Sequence, residues 1–92
     1  MNRPPDFTAT LGGVPWQIRF VRRGHEKVPE CWGMCYWDAR EIYVRYDLSR
    51  ETVRDTLIHE MLHATCRLLF VAEEWVTHTA TEINTGLERA GL

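Results

Sequence analysis

No stretch of this 92-residue sequence stays apolar for the roughly 20 residues a membrane span requires. The opening MNRPPDFTAT has no apolar run of signal-peptide length either, so the expectation is a soluble, cytoplasmic protein with no membrane partner. Charge of one sign is also lacking: 11 Lys and Arg stand against 13 Asp and Glu, a net charge of -2. No nucleic-acid partner is expected from so weak a basic field. Cysteine is sparse and odd in number. Cys31, Cys35 and Cys66 form no regular framework, which points to reduced thiols rather than disulfides. There is no internal repeat and no low-complexity tract. The length allows one core, so residues 1–92 are read as a single domain whose oligomeric state the sequence leaves open.

What is present is an ordinary globular composition, 45% hydrophobic and 26% charged, with clear local periodicities. FTATLGGVPWQIRFV predicts a β-hairpin, with strands at about 7–11 and 16–21 around a turn at Gly12, Gly13 and Pro15. RRGHEKVPECWG is a loop, and a short strand at 34–37 follows it. In REIYVRYDLS the residues Ile42, Val44 and Tyr46 share one face, and Tyr43 and Arg45 the other, as in a half-buried strand. Ser49, with an early acid at Glu51, starts a helix from about Arg50 to Phe70. A second helix begins at Glu73 and Glu74, carries an apolar stripe of Val76, Ala80, Ile83 and Leu87, and closes at Gly91. Strands followed by helices make the class α+β.

The first helix contains DTLIHEMLHATC, and with it the pentad H-E-x-x-H. Histidines four apart on a helix lie one above the other, so His59 and His63 can aim imidazole nitrogens at a single Zn2+ ion. Glu60 is offset from them, which leaves its carboxylate available to take a proton from an attacking water. Helical phase sharpens this: Val53, Leu57, Ile58, Met61, Leu62, Ala64, Leu68 and Leu69 fall in one broad apolar half. His59 and His63 fall in the other half, with Thr52, Thr56 and Cys66.

A catalytic zinc site takes three protein ligands and leaves one position open. Glu73, Glu74, His78 and Glu82 follow the motif. Glu73 lies three residues before Val76 and seven before Ala80, nearest the stripe that packs inward, with Glu74 the close alternative because helix starts shift by a residue or two. His78 shares the outer face of Glu74 and is read as a surface histidine. CWGMC offers Cys31 and Cys35 with only Cys66 to help, one ligand short of a tetrahedral structural site. Its aromatic neighbours suit either the core or the lining of a groove.

The stretch REIYVRYDLSRETVRDTLIHEMLHATC, followed by EEWVTHTATEI, resembles the zincin-like metallopeptidases. It is most similar to small phage and prophage-type members related to the ImmA/IrrE and SprT-like groups, over about residues 33–90. The resemblance implies a minimal zincin-like core: a small antiparallel sheet packed on an active-site helix, followed by a second helix. It implies Zn2+ as cofactor, His59, His63 and Glu73 as metal ligands, Glu60 as the catalytic general base, and a peptide or protein substrate. A phage-encoded protein of this kind would work in the host cytoplasm. The chain departs from larger members in having no helix before the sheet, no substrate-binding subdomain and no further histidine at a metzincin spacing. Two functions follow as expectations: a zinc-dependent peptidase, or a catalytically inactive zincin-fold protein that binds metal for stability and uses its aromatic surface for a partner. A peptidase would hold its substrate by β-addition to the strand containing Ile42 to Tyr46, with Tyr43, Tyr46 or His78 available to stabilise the oxyanion.

Overall fold

The structure, a computed structural model, describes residues 2–65 and 73–91. Gly12 and Gly13 both take positive φ, 59° and 81°, the conformation a two-residue hairpin turn demands and one that glycine adopts without steric cost. They join β1 (Phe7–Leu11) to β2 (Val14–Val21), with Leu11 opposite Val14 and Phe7 opposite Ile18. Pro15, expected in the turn, sits inside β2 opposite Thr10. After the loop, β3 (Gly33–Tyr36) turns back into β4 (Glu41–Arg45). The chain continues into α1 (Arg50–Thr65) and α2 (Glu73–Arg89). The Cys66–Phe70 end of the first expected helix lies outside the described residues.

The class is α+β, and the sheet is mixed rather than antiparallel. Its strand order is β1-β2-β4-β3, and β4 runs parallel to β2, with Ile18 opposite Ile42. The cause is the path of the loop, which carries the chain past the β4 position to the outer edge. β3 then pairs antiparallel with β4, and the returning strand enters beside β2 in the same direction.

Alternation along the two central strands sends Trp16, Ile18 and Phe20 to one face together with Ile42 and Val44, all buried. They form the core with Tyr46 and with Val53 and Ala64 of α1, and Leu57 and Met61 pack against it. Full burial of each such large side chain contributes about 1.5–3 kcal/mol. Tyr43, expected on an open face, is buried as well. The rings of His25 and Tyr36 lie over it at 5.6 and 5.8 Å, and the Tyr36 hydroxyl donates to the Lys27 carbonyl at 2.6 Å. The loop thus covers the sheet's second face at this strand.

Ser49 caps α1: its Oγ accepts from the Thr52 amide at 3.1 Å, and its carbonyl accepts the Val53 amide. The face that α1 buries is Val53, Thr56, Glu60 and Ala64, which differs from the broad apolar half expected. Leu57, Ile58, Met61 and Leu62 are only half-buried, and Thr56, expected beside the histidines, is inside. On α2 the buried stripe is Val76, Ala80 and Asn84, while Ile83 is exposed. Among the described residues no helix is long and apolar enough to cross a membrane.

Candidate metal centre

The one-turn spacing of His59 and His63 on α1 brings their rings together edge to face, with centroids 4.8 Å apart and Nε2 atoms 3.2 Å apart. Glu73 is the first residue of α2, and its carboxylate spans the pair. Oε1 lies 2.7 Å from His59 Nε2, and Oε2 lies 2.9 Å from His63 Nε2. One ligand atom from each of the three residues falls within 4.8 Å of the others, and no other such group occurs among the described residues. Glu74, His78 and Glu82 are exposed and stand outside this cluster.

The donor set fits a zinc ion. Two imidazole nitrogens and a carboxylate are the ligands of a catalytic zinc site with one open position. Ligand nitrogens about 2.05 Å from a tetrahedral ion are about 3.3 Å apart, which the histidine pair nearly matches. The carboxylate sits closer, at hydrogen-bonding distance, and would move back by a few tenths of an ångström to admit an ion.

Glu60 has a different setting from its neighbours. It is 8% exposed, on the side of α1 that faces the sheet, and its Cγ would stand 3.1 Å from a Cβ placed on Gly33. Only a residue without a side chain lets α1 approach β3 so closely. Burial, and secondarily the charge of Glu73, push the Glu60 carboxyl up from 4.5 to about 7. A carboxyl poised there takes up and releases protons near neutral pH.

A cleft of about 430 Å³ opens beside these groups. It is lined by His59 and Glu60 of α1, by Cys31, Trp32 and Gly33, and by Thr77 of α2. The aromatic segment around CWGMCYW therefore divides. Trp32 is 55% exposed at the cleft, while Trp37 packs edge-on against Trp16 with ring centroids 5.1 Å apart. Cys31 lines the cleft and Cys35 packs against the core, so the two do not meet in a second metal site.

Several residues expected to assist are elsewhere. Tyr43 is under the loop, Tyr46 receives a hydrogen bond from Arg22 Nε at 2.5 Å, and neither they nor His78 line the cleft. β4 is paired on both sides and has no edge to offer a peptide; β3 is the edge strand, and its first residue lines the cleft. Gly33 and Thr56 had no signal in the sequence beyond a glycine in a loop and a threonine near the histidines. No family model, curated protein or solved structure matches the chain.

Proposed function

We propose that the protein is a zinc-dependent metallopeptidase of zincin type, acting in the cytoplasm on peptide or protein substrates. The observation that carries the proposal is the convergence of His59, His63 and Glu73 next to Glu60, at the wall of an open cleft. Zinc, when bound, supplies Lewis acidity that polarises the scissile carbonyl and acidifies the attacking water. Glu60, buried beside the ligands at the cleft wall, accepts the proton of that water and returns it to the leaving amine. His59, His63 and Glu73 would hold the ion. β3 lies at the edge of the sheet and begins beside the cleft, and an extended peptide adds along it as a further strand.

Exposed Trp32 at the cleft, and Trp75 at 47% exposure on α2, favour a second reading, a metal-stabilised interaction protein without turnover. Zinc content and hydrolysis of an unfolded protein substrate, measured on the same samples, separate the two. The peptidase binds one zinc per chain, loses it in His63→Ala, and in Glu60→Gln keeps the zinc while hydrolysis falls at least about 100-fold. A Glu60→Gln protein as active as the wild type removes Glu60 from the mechanism. A wild type that holds zinc and cuts nothing leaves the interaction protein.

A further inference from the structure

Glu73 reaches His59 and His63 only if α2 holds one rotation and one height along α1. Val76 and Ala80, the buried apolar residues of α2, are small and non-directional, and such contacts tolerate turning and sliding. The directional contact lies at the other end of the helix. Asn84 is 4% exposed; its Oδ1 accepts from Arg54 Nε at 2.5 Å, and its Nδ2 donates to the Glu51 carbonyl at 3.3 Å. Arg54 also pairs with Glu88 one turn on. We infer that this clasp between Arg54, Asn84 and the Glu51 carbonyl is a positioning device for the metal centre, setting the rotation of α2 that turns Glu73 toward the two histidines.

Helical phase supports this. At about 100° per residue, with Val76 at zero, Ala80 is at about 40° and Asn84 at about 80°, so the buried stripe centres near about 40°. Glu73, at about 60°, lies within about 20° of that centre. An interface chosen by apolarity alone would take Val76, Ala80, Ile83 and Leu87, centred near about 10° and leaving Glu73 about 50° away. Burying Asn84 while Ile83 stays exposed is thus the choice that serves the ligand. The lever is long, since Asn84 and Glu73 are separated by about 16 Å of helix.

The inference rests on the metal-centre reading, and one series of measurements separates their failures. Zinc affinity is read by competition with a chromophoric chelator for wild type, Asn84→Ala, Glu73→Ala and the double variant, with helix content followed by circular dichroism. Asn84→Ala should weaken zinc about 10-fold when Glu73 is present and less than about 2-fold when it is absent, the scale of an outer residue that orients a ligand. Asn84→Asp, which keeps the acceptor for Arg54, should bind zinc within about 3-fold of wild type. Equal losses in both Glu73 backgrounds, or none, overturn the clasp and leave the metal centre standing. A wild type holding no more zinc than His63→Ala overturns both. If Asn84→Ala does not fold, Arg54→Lys taken through the same cycle decides the matter by the same criterion.

Discussion

At the scale of single residues, Glu60 is the group with the largest conflict between its chemistry and its place. A carboxyl that is 8% exposed and pushed from 4.5 up to about 7 favours its protonated form in the folded chain. Below about pH 4.5 the folded and unfolded chains both hold the proton, and Glu60 has no pH-dependent effect there. As pH rises the unfolded chain releases the proton first, and stability falls until the folded carboxyl also ionises. The loss is about 3 kcal/mol and is complete somewhat above pH 7. Glu60→Gln removes the titration. In metal-free protein the variant should match wild type near pH 4 and exceed it by up to about 3 kcal/mol at pH 8, read as urea midpoints. Parallel pH profiles for the two proteins would show that Glu60 is not buried as described.

At the scale of elements, the close contact of α1 with β3 is the critical one. A methyl group on Gly33 would stand 2.7 Å from Thr56 Cγ2 and 3.1 Å from both Glu60 Cγ and the Tyr43 carbonyl. Thr56 is buried and β-branched, so it has little room to turn aside. Gly33→Ala should therefore push the helix off the edge strand, destabilising by about 1–3 kcal/mol and lowering hydrolysis more than zinc binding, because Glu60 moves while the histidines keep their spacing. Removing the obstructing methyl with Thr56→Ser should recover part of the stability, as thermal denaturation of the double variant would reveal. A Gly33→Ala protein as stable as wild type means the helix has slack at this contact.

The same element explains why the phase of α1 misleads. Its most apolar half includes Ile58 and Leu62, yet the sheet receives Val53, Thr56, Glu60 and Ala64. Arg54, four residues before Ile58 and so on the same face, reaches Asn84 of α2, so the far side of the helix is occupied by a second partner. A helix serving two partners divides its apolar residues between them. A single best face then fails to describe it.

At the scale of the whole molecule, α2 packs chiefly on α1 among the described elements, by one small apolar stripe, the Arg54 clasp and the Glu73 contact with the histidines. A bound ion would join the two helices at the end opposite the clasp. Zinc at 100 times its dissociation constant should add about 2.7 kcal/mol, a rise of about 10–20 °C in melting temperature for a chain of this length. A chelator should reverse the rise, and His63→Ala should lack it. An unchanged melting temperature with zinc present would argue against a site that bridges the helices.

The sequence by itself determined the class and most of the elements, and it singled out His59, His63 and, with Glu74 as the alternative, Glu73 as candidate ligands. Strand alternation, the glycine pair at the hairpin, the Ser49 cap and the i, i+4 histidines are local, and local sterics and hydrogen bonding decide them. Glu73 was legible because the helix start narrows the choice to two adjacent acids, although the apolar stripe read from the sequence lies about 50° from it and does not by itself turn it to the histidines. Tertiary structure decided what depends on neighbours distant in sequence. The loop's path made the sheet mixed and placed β3, rather than β4, at the edge. The approach of α1 to Gly33 buried Glu60, and the pairing of Arg54 with Asn84 chose the rotation of α2 over the more apolar alternative. Periodicity reports how apolar a face is, but which face is covered depends on the shape and hydrogen-bonding groups of the partner it meets.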